Sequence, residues 1–332
     1  MSEERQRLLL ICPLLFGYHQ AISDAAQCKG FDVDWVNARA SERTAYKVLM
    51  KGVPSLLRKL TQTRMVRMLH GVRDLENIDR IVIVKGDGLT EKTLTTLRKL
   101  APCATVHFYM WDSVRNHPGS VGLARLCDTV ATFDARDAAR LGWQHLPLFS
   151  FMPLSASAGA SRTGNIVYDW SFVGSVHGDR YAFLSRLWST HKSLKPFVHC
   201  YIPSRLVWLL RALRDPQLFR PGEVPISHEV LSKEAYLDVL NASRAVVDIE
   251  HARQTGLTMR SIETLLAGKK LITTNPHVRD VALYDASRVA VIDRDKPRIP
   301  DGFLDIPFAP VPEGLRRQFH VSGWLDAVLR GK

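Results

Sequence analysis

Short β-branched and apolar runs, each followed by a segment of helical character, recur along the whole of this 332-residue chain and constrain its fold more than any other feature. Parallel strands need a crossover between them, usually a helix, so this rhythm predicts an α/β architecture with parallel sheets. In the first half the expected strands are Leu8–Cys12, Phe31–Val36, Arg80–Val84, Thr105–Trp111 and Thr129–Phe133, with helices at Ala21–Cys28, Thr90–Leu100 and Ala135–Leu141. Most of these runs show little polar alternation, as expected of strands covered on both faces. Phe31–Val36 does alternate, which predicts a place near a sheet edge.

Residues 155–164 change character to small and polar residues, which predicts an interdomain linker. Beyond it the rhythm restarts, with strands at Trp170–Val173, Pro196–Ile202, Ala245–Ile249, Lys270–Thr274 and Val289–Ile292, and helices at Arg180–Thr190, Glu229–Leu240 and Met259–Ala267. A last helix is expected from Glu313 to Leu329, docked through Leu315, Phe319, Trp324, Leu325 and Val328. The expected division is a Rossmann-like domain over 1–152, a linker over 153–168, a second domain over 169–311, and a C-terminal helix over 312–332 that packs back on the first domain.

The 45 Lys and Arg against 33 Asp and Glu give a net charge of +12, which points to an anionic partner: nucleic acid, a membrane surface or a phosphorylated small molecule. No zinc spacing, RNP-like motif or helix-turn-helix stands out, which places nucleic acid last. Seven basic and no acidic residues lie between Arg43 and Arg67, interleaved with apolar ones and divided by Pro54, a pattern suited to an anionic membrane or to an ordinary helix with a solvated face. Arg205–Arg214 is a second, weaker piece of the same kind. The apolar run Leu8–Phe16 is too short to span a bilayer, Glu3 and Glu4 sit where a secretory signal carries positive charge, and the five cysteines show no C-x-x-C spacing. A cytoplasmic protein with buried thiols and no metal site is expected; the triplets Asp32-Val33-Asp34 and Asp293-Arg294-Asp295 read as solvated carboxylates.

The most informative segment runs from Val246 to Asn275. It reads as a strand, a loop carrying Thr255, Gly256, Leu257 and Thr258, a helix carrying Arg260 and Glu263, a Gly268 stop and another strand. Free N–H groups and the positive dipole end at such a helix N-terminus suit a phosphate, and Arg260 adds a fork-shaped donor. Glu263, one turn in, is placed to accept the two hydroxyls of a ribose. The plain alternative is capping by Thr258 and Gly268 around solvated side chains. Phe172-Val173-Gly174-Ser175 is a strand entering a small-residue turn, and Arg180, opening the next helix, is a candidate diphosphate ligand. Gly17, after the first strand, allows close backbone approach to a ligand. Candidates for a general base are Asp112, Asp87 and His19, at the C-terminal ends of first-half strands; turn, cap and helix-start roles are their alternatives.

A glycine-containing loop, then Arg260-x-x-Glu263, then Ala267-Gly268-x-x-Leu271-Ile272-Thr273, resembles the donor-nucleotide segment of GT-B glycosyltransferases, particularly bacterial capsule and lipopolysaccharide transferases and CgeB-like proteins. Lys85-Gly86, Tyr109-x-Trp111-Asp112-Ser113 and Phe172–Ser175 add to it, and it covers most of the chain. The resemblance implies two Rossmann-like domains facing across a cleft, a C-terminal helix crossing back, and a ribose-binding role for Glu263. It implies transfer of a sugar from a nucleotide-sugar to a glycan or lipid-linked glycan acceptor, with no cofactor and no obligatory metal; the basic pattern of residues 43–67 would hold such an enzyme on anionic lipid at the inner face of the inner membrane. Thr255 stands eight residues before Glu263, where retaining members carry a second glutamate, so a retaining mechanism is not implied. The other readings are a sugar-nucleotide epimerase on the same scaffold and a non-enzymatic basic nucleic-acid or membrane-binding protein. No G-x-G-x-x-G follows an expected strand, which disfavours a nicotinamide enzyme.

Overall fold

The computed structural model describes residues 5–15, 17–38, 54–152, 165–213, 215, 218, 224–251 and 254–331, with the backbone alone for 54–61. The expected linker at 155–164, and the basic stretch from Arg43 to Val53, lie outside the described residues. Two compact units emerge: unit 1 comprises Met1–Phe151, Gln254–Gly256 and Arg317–Lys332, and unit 2 comprises Met152–Arg253 and Leu257–Arg316.

Unit 1 is built on β1 (Arg7–Cys12), β2 (Asp32–Asn37), β3 (Arg80–Val84), β4 (Thr105–Met110), β5 (Thr129–Thr132) and the two-residue β6 (Gln144–His145), all parallel, in the order β2-β1-β3-β4-β5-β6. Leu8 to Cys12 are fully buried, which is why β1 reads as an uninterrupted apolar run. The alternating β2 is an edge strand, as its pattern predicts, and its Asp34 pairs with Arg7 at 2.6 Å. Helices α1 (Tyr18–Cys28), α2 (Pro54–His70), α3 (Glu91–Leu100), α4 (Ser120–Ala124) and α5 (Ala135–Leu141) belong to this unit. Met65 and Leu69 of α2 sit in the main apolar core beside Ile81, Ile83 and Leu94, so this part of the expected membrane-facing helix spends its apolar face on the protein's own interior.

Unit 2 carries β7 (Tyr168–Ser175), β8 (Pro196–Tyr201), β9 (Ile226–Ser227), β10 (Ser243–Asp248), β11 (Lys270–Thr273) and β12 (Val289–Val291), again parallel, in the order β12-β11-β10-β7-β8-β9. Its helices are α6 (Arg180–Thr190), α7 (Arg205–Ala212), α8 (Lys233–Ala242), α9 (Met259–Leu266) and α10 (Glu313–Gln318). The core centres on Trp170, Phe172, Phe183, Leu187, Val247 and Ile272. The helix expected at Glu229–Leu240 begins later, because the Ser232 side chain accepts the Ala235 N–H and sets the N-terminus there.

The expected single C-terminal helix is two. Between α10 and α11 (Val321–Arg330) the backbone leaves the helix to pair with Ser150: the Ser150 N–H donates to the Phe319 carbonyl and the Val321 N–H to the Ser150 carbonyl, each at 2.8 Å. His320 caps α11, its ring nitrogen accepting the Ser322 N–H. Val321, Trp324, Leu325 and Val328 then bury one helical stripe in unit 1, against α1 and β4, with the Trp324 ring 4.9 Å from Tyr109 and 4.4 Å from Phe149. Among the described residues, no helix is long and apolar enough to cross a membrane.

Trp324→Ala removes the largest side chain of this stripe and is expected to lower the unfolding free energy of unit 1 by about 3–5 kcal/mol, read from urea unfolding. A loss of under about 1 kcal/mol would show that α11 does not stabilise the unit.

Candidate functional site

Ligands of open parallel sheets bind beyond the carboxyl ends of the strands, where the strand order reverses. In unit 2 the chain runs outward from β7 through β8 to β9 on one side and from β10 through β11 to β12 on the other, so the reversal lies between β7 and β10. Gly174 and Ser175 end β7, and Asp248, Ile249 and Glu250 end or follow β10. These residues and the start of α9 form one polar cluster.

Asp248 is its anchor. The carboxylate is 1% exposed. One oxygen accepts from the hydroxyls of Thr258 and Ser261, each at 2.6 Å, and the other accepts from the Arg260 guanidinium at 3.0 Å. Thr258 in turn accepts the Ser261 N–H and caps α9, as its sequence position predicts. Arg260 also lies over the Phe172 ring, 5.2 Å from its centroid. A Cβ at Gly174 would come within 2.8 Å of the Arg260 guanidinium, so any larger residue there would displace Arg260.

Arg180 opens α6 and donates to the carbonyls of Ser175 and Ile249, at 3.3 and 2.5 Å. Among the described residues it meets no carboxylate directly, and burial followed by the like charge of Arg260 pushes its guanidinium below its ordinary pKa. The nearby charges of Asp248 and Glu250 offset part of that shift. Arg294, which sequence reasoning placed in a solvated loop, forms a two-pronged pair with Asp179 at 2.8 Å and a second pair with Glu250 at 2.8 Å. Glu250 also accepts the Thr274 hydroxyl. Glu263 is buried on α9, and its charge, second to burial, raises the pKa of the Tyr236 phenol of α8.

Unit 1 has its own reversal, between β1 and β3, and a second cluster stands there. Gly17 precedes α1 with φ +79°, and Lys85 and Gly86 after β3 both adopt left-handed backbone, at φ +66° and +68°. For a lysine that conformation costs about 1–2 kcal/mol. Its ammonium lies 3.1 Å from Asp112 and 3.5 Å from Asp87. His117 joins the same two carboxylates, at 3.0 Å from Asp112 and 3.7 Å from Asp87. Asp112 also accepts the Ser113 N–H, the Asn116 amide and the Gln254 amide. Burial works to raise its pKa, yet the His117 hydrogen bond, the Lys85 charge and the Asn116 amide together hold the carboxyl well below the usual carboxylate range. Asp112 is therefore a firm anchor and a weak base.

The structure thus brings Asp87 and Asp112 together, through Lys85 and His117, and leaves His19 elsewhere in unit 1, its ring 4.4 Å from that of Trp35 and its pKa lowered by burial. Of the donor candidates, Gly174, Ser175, Thr258 and Arg260 share the cluster with Arg180, and Glu263 lies along the same helix. Thr255 and Gly256 belong to unit 1: the Thr255 N–H donates to Asp134 at 2.9 Å, and a Cβ at Gly256 would fall 2.6 Å from the Phe133 carbonyl. Leu257 is a buried residue of unit 2. Sequence reasoning missed Asp248, Glu250, Arg294 and His117; the usable signal for the first two was their place at a strand's carboxyl end.

The arrangement was compared with known proteins. No family model and no curated protein sequence matches the chain. Solved structures do. AviGT4, a glycosyltransferase involved in avilamycin A biosynthesis, superposes with a TM-score of 0.61 at 14% identity, covering 98% of this chain and 96% of that one. HepE from Anabaena, solved with UDP and glucose, gives 0.56 at 12% identity over 98% and 99%. The UDP-GlcNAc 2-epimerase from Neisseria meningitidis, bound to UDP-GlcNAc, gives 0.51 at 10% identity over 98% and 99%. The chain has the GT-B fold. Its two parallel six-stranded sheets are the two Rossmann-like domains of GT-B proteins.

The depressed pKa of Asp112 fixes the sign of one pH effect: its contribution to stability is full above the ordinary carboxylate range near pH ~4 and is lost as pH falls below it. Asp112→Asn is therefore expected to flatten the acid side of a plot of Tm against pH. An unchanged acid slope would contradict the ion cluster.

Proposed function

We propose that the chain is a glycosyltransferase that moves a sugar from a nucleotide-sugar donor to a surface-glycan acceptor of lipopolysaccharide, capsule or exopolysaccharide biosynthesis. The observation that carries this reading is Arg180, a half-buried cation that donates to two main-chain carbonyls and makes no ion pair with a carboxylate among the described residues, beside Arg260 and the capped N-terminus of α9 at the strand reversal of unit 2. Two guanidiniums and the N–H groups of a helix start match the charge and geometry of a diphosphate. AviGT4 and HepE share the fold, and HepE holds UDP and UDP-glucose.

As the glycosidic bond to the diphosphate breaks, negative charge grows on the phosphate oxygens. Arg180 and Arg260 stabilise it from fixed positions, at no reorganisation cost during the reaction and with no metal ion required for that task. Asp248 holds Arg260 and Thr258 in place. Glu263 accepts the ribose hydroxyls, and Gly174 leaves room for the ligand and for Arg260. The acceptor hydroxyl needs a group that takes up a proton. The candidates are Asp112, Asp87 and His19: the donors around Asp112 keep it ionised but weaken it as a base, and burial keeps His19 neutral while also lowering its basicity. Lys85, Asp87, Asp112 and His117 then shape the unit 1 site near Gly17. We place the enzyme in the cytoplasm at the inner membrane, with the basic stretch 43–67 contributing attraction to anionic lipid.

Arg180→Ala is expected to weaken binding of the cognate nucleotide-sugar or its nucleoside diphosphate by about 1.5–3 kcal/mol, roughly 10- to 100-fold, in calorimetric titration. Incubation with a panel of nucleotide-sugars identifies the donor by hydrolysis or transfer, and product analysis without acceptor separates transfer from epimerisation. Failure of every nucleotide-sugar to bind, or unchanged affinity in the folded variant, would reject the reading.

A further inference from the structure

His117 lies in the loop that leaves the carboxyl end of β4 and leads to α4, the end of the unit 1 sheet where ligands of open parallel sheets bind. Its side chain is 34% exposed, so the ring meets solvent. Nε2 stands 3.0 Å from an Asp112 oxygen. Asp112 is held ionised by the donors around it and can only accept at that contact, so Nε2 carries the proton. This fixes the neutral imidazole in one tautomer, with Nδ1 bare. Nδ1 makes no hydrogen bond among the described residues, and the Asp87 carboxylate stands 3.7 Å from it. That spacing is too long for a hydrogen bond and short enough for charge to act, so an imidazolium formed here has a carboxylate beside each ring nitrogen. Lys85 is the opposing charge, and at 3.1 Å from Asp112 and 3.5 Å from Asp87 it holds both carboxylates in place.

The neighbouring groups are less able to take a proton. Asp112 receives the Lys85 ammonium, the His117 ring, the Ser113 N–H and the amides of Asn116 and Gln254, five donors for a carboxylate with about four acceptor sites. Its capacity is filled. The Nδ1 of His19 is buried and has no hydrogen-bond partner among the described residues, so a doubly protonated His19 ring would keep an unsatisfied donor in the interior.

We propose that His117, oriented by Asp112, takes the proton of the acceptor hydroxyl, an assignment that rests on the glycosyl-transfer reading. The acceptor oxygen bonds to the anomeric carbon as the bond from that carbon to the diphosphate oxygen breaks. The hydroxyl proton passes to Nδ1 of His117, the electron pair of the broken bond leaves with the nucleoside diphosphate, and the imidazolium later returns its proton to water. Asp112 is the positioning residue of this pair, and Asp87 steadies the transient cation.

The test is His117→Ala in the full chain, with UDP-, GDP- and ADP-linked sugars as donors and a lipopolysaccharide-core oligosaccharide as acceptor. The expected result is a fall in kcat of about a hundredfold to ten-thousandfold, with nucleoside diphosphate affinity and Tm unchanged and partial recovery on adding free imidazole. Equal transfer by variant and parent would overturn the assignment, as would a loss confined to His19→Gln. A joint fall in Tm and in nucleotide affinity would make the ring structural and also overturn it. Side-chain NMR of nitrogen-labelled protein needs no substrate: a neutral His117 with its proton on Nε2 is expected, and a proton on Nδ1 would refute the assignment by itself. Failure of the parent to bind any of the nucleotide-sugars would remove the glycosyl-transfer reading and this assignment together, whereas transfer by the parent and an indifferent His117→Ala removes the assignment alone.

Discussion

The unit 2 site depends on one desolvated carboxylate. Asp248 ends a central strand in the interior, where a polar group is costly to bury without partners; it recruits the Thr258 and Ser261 hydroxyls and the Arg260 guanidinium. Those contacts fix the start of α9, so the helix N-terminus, its N–H groups and Arg260 hold their positions with no ligand bound. Removing one member of such a network leaves buried charge uncompensated, which costs more than the pair contributes when intact. Arg180 is the exception that gives the site its direction. It donates to two carbonyls, feels Arg260 and Arg294 against it and Asp248 and Glu250 in its favour, and forms no direct ion pair among the described residues, which leaves it able to meet an anionic ligand.

Unit 1 solves a related problem with the opposite result. Lys85 sits in a left-handed turn between two carboxylates that His117 also holds, so charge is satisfied internally rather than left open. A cluster closed in that way orients groups around it and is poorly suited to taking a proton at Asp112. The division of labour in the proposed reaction follows from that difference: open positive charge toward the donor in unit 2, a closed ion cluster supporting the acceptor side in unit 1.

Much of this was legible in the sequence because strand burial writes itself into composition. The apolar runs located the main strands, the alternating edge strand β2 was recognisable by its pattern, and Thr258 marks a helix start by chemistry alone, whereas the cap at Ser232 was overlooked in favour of a start at Glu229. The two-residue strands β6 and β9 are too short to leave a periodic trace. The break at Phe319–His320 was hidden because it is paid for by Ser150, some 170 residues away in sequence, through backbone groups that carry no residue signature. In the site, Arg180 and Arg260 were readable from their place at helix starts. Arg294 was not, because its partners Asp179 and Glu250 are far off in sequence, and for Asp248 and Glu250 the place at a strand's carboxyl end was legible while the strand order that makes it the reversal point was not. Thr255 and Gly256, singled out by spacing as donor-loop residues, are anchored by the Thr255 N–H to Asp134 and by close approach of Gly256 to Phe133, contacts that the spacing alone does not reveal.

Hydrogen exchange of the full chain, with and without the nucleoside diphosphate of its donor, tests the central claim that unit 2 carries a preformed diphosphate site at its strand reversal. Slower exchange on binding is expected in peptides covering 174–180 and 257–263, with peptides covering 85–87 and 112–117 little changed. Protection confined to the unit 1 peptides, or no protection anywhere, would contradict the account.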